Sequence, residues 1–298
     1  MPEGMAKTHI VDLGGPVHYA DHGGDGSPLV MIHGLGGSHL NWEDVAGLFR
    51  PDHRVYAPDL IGFGLTPLAG RKASIRAQQR LVTRFIDDVV GAPITLIGNS
   101  MGGLIAMLVA AEVGGSVERL VLVNPALPVV SSASVSRSNL VRLGLPIVPF
   151  VGPAALRRYS ESASAEEQVD ETLELLCAHP DRVGPETRAQ MAEMVTLRRT
   201  MKWAIPAFTQ AIRSITRVLI RRRSFLSETV HRIAAPTLLI HGEADTVVAP
   251  DAARWIGEAR PDWHLELLPD VGHIPMIEVP DRFVAAVESW LKTEEARP

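Results

Sequence analysis

Three polar residues stand where they could act together on an acyl group: Ser100, Asp245 and His273. Ser100 lies in PITLIGNSMGGLIAM (93–107), with Gly98 two residues before it and Gly102 two after. Pro-Ile-Thr-Leu-Ile reads as a buried strand, and the apolar stretch from Leu104 to Val113 reads as a helix. The serine therefore sits on a sharp strand-to-helix turn. Side chains two positions either side of such a turn would collide, and glycine removes the collision. The turn lifts the hydroxyl above the helix N-terminus, where N–H groups can hold an anion. Gly-x-Ser-x-Gly also arises by chance in glycine-rich chains, so the flanking strand and helix carry the argument.

A serine nucleophile needs a base, an acid that orients the base, and donors for the oxyanion. Among eleven histidines, His9, His18, His22 and His53 fall in or beside early strands, and His179 and His231 in a mid-chain helical region. His273, in LPDVGHIPMIEVP, follows the last strand on a loop with Gly272 before it and Pro275 after it, and is the expected base. GEADTVVAP, after the strand PTLLIH, offers Glu243 and Asp245. Asp245, in the turn four residues past the strand, is the preferred acid. Glu243 and Asp270 are alternatives, although Asp270 is too near His273 in sequence to orient its ring easily. Asn124 ends the preceding strand and cannot serve as an acid. The backbone N–H groups of Met101 and Leu35 are the expected oxyanion donors, with glycines 34, 36 and 37 letting the Leu35 loop come close to substrate.

Positioning these residues requires a sheet whose strand ends share one edge. Strands are expected at 8–13 and 16–20, joined as a hairpin by Gly14-Gly15, then at 28–33, 53–59, 93–98, 119–124, 236–241 and 264–269. Helices are expected at 41–49, 75–90, 101–113, 251–260 and 280–292. This alternation implies a mostly parallel α/β sheet covered on both faces. Residues 127–233 contain no buried strand and read as a helical cap over the C-terminal sheet edge, where ligands bind in open α/β sheets. The expected organisation is thus a core of residues 1–126 and 234–298 with a cap of 127–233.

Composition narrows the function classes. Of 298 residues, 46% are hydrophobic and 21% charged, which excludes global disorder, and a net charge of −5 gives no reason to expect nucleic acid. The single cysteine, Cys177, rules out an internal disulfide framework and reads as a small core hydrophobe. The first residues lack the pattern of a secretory signal, and the longest apolar run, 144–156, is broken by three prolines. A cytoplasmic protein, monomeric or homodimeric, is expected.

The segments HGLGGS, DLIGFGLT (59–66), GNSMGG, GEADTVVAP and GHIPMIEVP occur in an order that resembles the α/β-hydrolase superfamily over nearly the whole chain. The resemblance implies an eight-stranded sheet flanked by helices, a helical lid after strand 6, the order nucleophile–acid–base, and no cofactor. It also marks Asp59, Gly62 and Gly64 as a structural turn without chemistry. Serine at the elbow departs from haloalkane dehalogenases and epoxide hydrolases, which carry aspartate there. GNSMGG resembles the meta-cleavage-product hydrolases, which cut carbon–carbon bonds. The chain differs from them at Ile274 (usually tryptophan) and at Leu35-Gly36-Gly37 (usually Gly-Pro-Gly). The Gly-Gly-Gly of hormone-sensitive-type lipases is missing too, and the remaining pattern is similar to small lidded bacterial esterases and lipases.

The expected reaction is carboxylic ester hydrolysis through an acyl-enzyme, on a small-molecule or lipid-like substrate. Gly34, Trp42, Phe150, Trp203 and Phe208 are the expected pocket residues. With Leu145, Ile147 and Ile205, the cap aromatics could equally form the cap's own core. Carbon–carbon hydrolysis is the alternative and would need Arg198 or Arg199 for a substrate carboxylate. A ligand receptor without turnover is the other. Arg213, Arg217 and Arg221 recur every four residues opposite Ile212, Ile215 and Leu219. That stripe could rest weakly on anionic lipid, guide an acidic substrate, or be a solvated face.

Overall fold

Apolar runs punctuated by glycine and proline fold into strands that nearly all point one way. The computed structural model describes residues 7–112, 115–128, 151–221 and 223–296, so Leu145, Ile147 and Phe150 lie outside the described residues. Lys7–Asp12 (β1) and Pro16–Gly23 (β2) form the hairpin, turning through Gly14 and Gly15 at φ +76° and +128°. Ser27–Ile32 (β3), His53–Pro58 (β4), Ile94–Asn99 (β5), Val117–Val123 (β6), Thr237–Gly242 (β7) and His264–Leu268 (β8) complete the sheet. Its eight strands run in the order β1-β2-β4-β3-β5-β6-β7-β8. β2 is antiparallel to β1 and β4, and all remaining pairings are parallel.

Along the chain the helices are Glu43–Phe49 (α1), Ile75–Phe85 (α2), Met101–Glu112 (α3), Val151–Ser162 (α4), Ala165–Leu176 (α5), Pro185–Thr200 (α6), Ala204–Arg221 (α7), Arg223–Arg232 (α8), Pro250–Ala259 (α9), the single turn Pro275–Glu278 (α10) and Pro280–Glu295 (α11). Two differ from expectation. The helix expected from residue 41 begins as a 3-10 turn, His39–Trp42, capped by Ser38. The helix expected over 75–90 widens to π-helical pitch at Ile86 and ends at Gly91, φ +66°.

Strand side chains alternate between two apolar layers. Leu29 and Met31 face one layer, Val30 and Ile32 the other. α3 has no polar face because β5, β6 and α2 surround it, and Met101 to Ala110 are all buried. Between β6 and β7 the described residues form helices and no strand. α7 is seated on the sheet's own core: Ala207 and Ala211 are fully buried there, and Gln210 and Ser214 accept the N–H groups of Ala73 and Ile75. A Cβ on Gly62 would come within 2.3 Å of Ala207, so this close seating requires glycine. Because β3, β5, β7 and β8 are parallel, the loops carrying Gly34, Ser100, Asp245 and His273 leave the sheet at one edge.

Candidate active site

Ser100 stands at φ +54°, a conformation an L-residue adopts only under strain. Its N–H donates to the Val123 carbonyl, and its own carbonyl accepts from Leu104 and Ala126, which hold the turn. A Cβ on Gly98 would lie 2.4 Å from the Gly102 carbonyl oxygen, the collision that the sequence spacing implied. A Cβ on Gly102 would meet a different partner, the Ile32 carbonyl at the end of β3, at 2.2 Å. The second glycine therefore lets α3 pass the neighbouring strand.

His273 Nδ1 lies 2.7 Å from Asp245 Oδ2, and both side chains are buried. Asp245 Oδ1 accepts the N–H groups of Val247 and Val248, and Oδ2 also accepts Asn124 Nδ2 at 2.7 Å. Burial alone would raise the Asp245 carboxyl. The adjacent His273, with His241 and the Asn124 amide, reverses that and holds it below the usual carboxylate range. The alternative acids lie elsewhere: Glu243 pairs with Arg254 at the surface, and Asp270 with His179 and Arg182.

The His273 loop is held from two sides. His273 N–H donates to the Leu176 carbonyl at 2.6 Å, at the end of α5. Buried Glu278 accepts Gly272 N–H at 2.7 Å and His179 N–H at 2.9 Å. Asn99, beside Ser100, donates to the His273 carbonyl at 3.1 Å. Nothing in sequence singled out Asn99 or Glu278, whose partners lie far along the chain or on its backbone. Cys177, in the same segment, belongs to the apolar core, and burial pushes its thiol up to about 12.

Ser100 and His273 share a cavity of about 340 Å³ with Gly34, Leu35, Arg198 and Phe208. Leu176, Met191, Met194, Val195 and Ile277 give the rest of its wall a mainly apolar character. His33 shapes the Leu35 loop: its Nε2 accepts Leu60 N–H, so the ring proton is on Nδ1 and donates to the Gly34 carbonyl at 2.8 Å. Burial pushes this imidazole down to about 4, which keeps it neutral. Arg198, on α6, donates to the Gly36 carbonyl at 2.7 Å and has no carboxylate within ion-pair distance among the described residues. Arg199 points away and donates to the Ala163 carbonyl.

Two expected pocket residues are placed differently. Trp42 is fully buried and does not line the cavity, its ring centre 6.4 Å from that of Phe283, because the 3-10 turn at 39–42 directs it into the core. Trp203, half-buried between α6 and α7, does not line the cavity. Phe150 is outside the described residues. In the basic stripe, Arg213 is half-buried, Arg217 exposed, and Ile212 faces the core.

One described group has the composition of a metal site, His18, His39 and Asp59. Its carboxylate already accepts four N–H groups: His18 Nδ1 at 2.8 Å, His39 Nδ1 at 3.1 Å, and the backbone of His39 and Leu65. Protons satisfy this cluster, and a Cβ on Gly64 would lie 2.2 Å from the Asp59 carboxyl group, so it is a closed structural knot. A second, more open concavity of about 460 Å³, between Tyr159 and Glu174, has an acidic wall, and its Ser162 and Tyr159 hydroxyls donate to the Tyr159 carbonyl and to Glu171.

Comparison with known proteins places this geometry. Lipase 1 of Psychrobacter immobilis is 25% identical over 294 residues, spanning 98% of this chain and 85% of that one. The 2-hydroxy-6-oxo-6-(2'-aminophenyl)hexa-2,4-dienoic acid hydrolase of Metapseudomonas resinovorans is 28% identical over 300 residues, 97% of this chain and 92% of that one. A point mutant of a haloalkane dehalogenase (DatA) of Agrobacterium tumefaciens superimposes with a TM-score of 0.81 at 20% identity, covering 97% of this chain and 98% of the other. A serine hydrolase involved in carbazole degradation superimposes with a TM-score of 0.74 at 24% identity, covering 97% and 99%. These neighbours differ in chemistry, so their likeness speaks for fold alone. Residues 29–286 match the model of the alpha/beta hydrolase family, and the protein belongs to that family.

Proposed function

We propose that the protein is a serine hydrolase of carboxylic esters with apolar acyl or aryl groups, acting through an acyl-enzyme on Ser100. The observation that supports this best is a strained serine opening into the same cavity as a histidine whose far nitrogen is bound to a buried carboxylate. Ser100 attacks the acyl carbon while His273 takes its proton. Asp245 keeps the His273 proton on Nδ1 and stabilises the imidazolium. The N–H groups of Leu35 and Met101 hold the oxyanion, each worth about 3 kcal/mol in comparable sites. His273 then protonates the leaving alcohol, and water releases the acid. Residues 127–233 act as the cap, and its helix α6, with Phe208 of α7, selects the substrate by closing the cavity over the sheet edge.

Arg198 favours a second reading. An arginine on a mainly apolar wall, with no carboxylate within ion-pair distance among the described residues, suits a substrate that carries its own carboxylate. Hydrolysis of a carbon–carbon bond in a dienoate ketone, as named for the Metapseudomonas relative, would use it.

The test is hydrolysis of p-nitrophenyl esters from C2 to C16 by wild type and Ser100→Ala. Turnover should peak at one chain length and fall about 10⁶-fold in the mutant. A folded wild type inert on every ester would overturn the esterase reading and turn attention to dienoate ketones.

A further inference from the structure

Asn124 is the first residue beyond β6, stands at φ +43°, and is fully buried. Its Nδ2 donates to Asp245 Oδ2 at 2.7 Å and to the Gly272 carbonyl at 3.3 Å, while its Oδ1 is buried without a hydrogen-bond partner. The two acceptors fix the orientation of the carboxamide, since a flip would set oxygen against oxygen twice. A buried carbonyl left unpaired costs stability. The left-handed φ, which asparagine tolerates better than most residues, accounts for the residue type in the turn but not for a donor nitrogen spent on both the carboxylate and the His273 loop.

We propose that Asn124 is a positioning residue for the acid–base pair. Its amide holds Asp245 Oδ2 in line with His273 Nδ1 and, by donating to the same oxygen, tempers the negative charge that the imidazole senses. The proposal rests on the serine-hydrolase reading for its meaning, but its test does not require that reading.

The surrounding charges decide the sign. Asp245 also faces His241 on β7, whose Nε2 is 3.5 Å from Oδ2, is committed to the Val248 carbonyl at 2.9 Å, and belongs to an imidazole that burial keeps below its ordinary pKa. From α10, Glu278 faces the base loop but is bound by Gly272 and His179 N–H, with Arg182 3.6 Å away. Asp270, before the base, is paired with His179 and Arg182. Glu243 and Arg254, beyond β7, pair with each other. None of these supplies Oδ2 with a donor that could replace the Asn124 amide. Removing the amide leaves more charge on Oδ2, so the Asp245–His273 pair binds its shared proton more tightly.

The experiment uses Asn124→Gly, which relieves the positive φ and admits water, and Asn124→Leu, which is similar in bulk and excludes it. Two readouts apply: the pH dependence of kcat/KM on the best ester, and the titration of the His273 imidazole by NMR in protein without substrate. The acid limb and the NMR midpoint should both move up, by about half a pH unit in Gly and about one unit in Leu. In both variants kcat should fall roughly tenfold with KM within about twofold. Unmoved midpoints in a folded variant, even with activity lost, overturn the proposal, because a merely structural amide would leave the titration alone. If Leu does not fold, Gly decides. If the wild type cleaves no ester, the serine-hydrolase reading fails while the NMR comparison still judges Asn124.

Discussion

Asp59 and Asp245 are both fully desolvated carboxylates, each accepts four N–H groups, and each lies against two histidines. Both carboxyls are held below the usual range: burial pushes them up, and their histidine and other N–H partners outweigh it. The difference lies in where the histidines lead. His18 and His39 close back on the protein, with rings 4.7 Å apart and His18 Nε2 buried without a partner. His273 instead stands on the wall of a cavity that also holds a strained serine. One Asp–His group fastens the 59–66 turn, and the other faces a site. Residue types alone do not separate them. Access and a nucleophile do.

Replacing each carboxylate by its amide is the sharpest way to break this comparison. Asp245→Asn should lower kcat about 10⁴-fold by turning the base into the wrong tautomer. Asp59→Asn should leave kcat of the folded enzyme within about threefold. Both should lose about 3 kcal/mol of stability, measured by urea unfolding, because each leaves buried donors facing an amide. An Asp59 variant as slow as the Asp245 variant would erase the distinction.

Acid should weaken the fold through its buried imidazoles, at the Asp59 turn and elsewhere. His33, beside that turn, and His22 are both held at about 4 by burial. The unfolded chain protonates these rings below about pH 6.5. Folded pKa values lie below unfolded ones, so stability is complete above that pH and falls between it and 4, by up to about 3 kcal/mol per ring. Urea midpoints at pH 7, 5.5 and 4.5 check this, and a flat series would contradict it. The smallest effect concerns selectivity: Arg198→Met removes the bond to the Gly36 carbonyl and so slows every substrate, but it should lower kcat/KM on carboxylate-bearing substrates about 10- to 100-fold more than on neutral esters.

How legible each part was follows from what fixes it. Ser100 could be read locally because the close approach at its turn admits only glycine at 98 and 102, and the chain spells that out. Asp245 and His273 could be named because parallel strands deliver their ends to one edge. Asn124 was visible only as a residue unable to act as an acid, since its partner is 121 residues away. His33 and Glu278 bind backbone groups, and a backbone partner leaves no mark in side-chain chemistry; Arg198 was named for a substrate carboxylate, but its bond to the Gly36 carbonyl was not legible for the same reason. Trp42 misled for a related reason: aromatic identity suggests a pocket wall, but the direction of a side chain is set by the turn that carries it. The inserted helices were foreseen as helices, and the fact that Ala207 and Ala211 are part of the main core was not.

The grip of α5 and α6 on the sheet edge bears on engineering. The Leu176 carbonyl accepts from His273 N–H, His179 N–H donates to the Glu278 carboxylate that also binds Gly272, and Arg198 donates to the Leu35 loop at the Gly36 carbonyl. Exchanging this helical segment with that of a relative, to transplant substrate preference, would also transplant the fastenings of both loops. A chimera would then confound selectivity with catalytic alignment unless residues 176–182 and position 198 stay with the recipient.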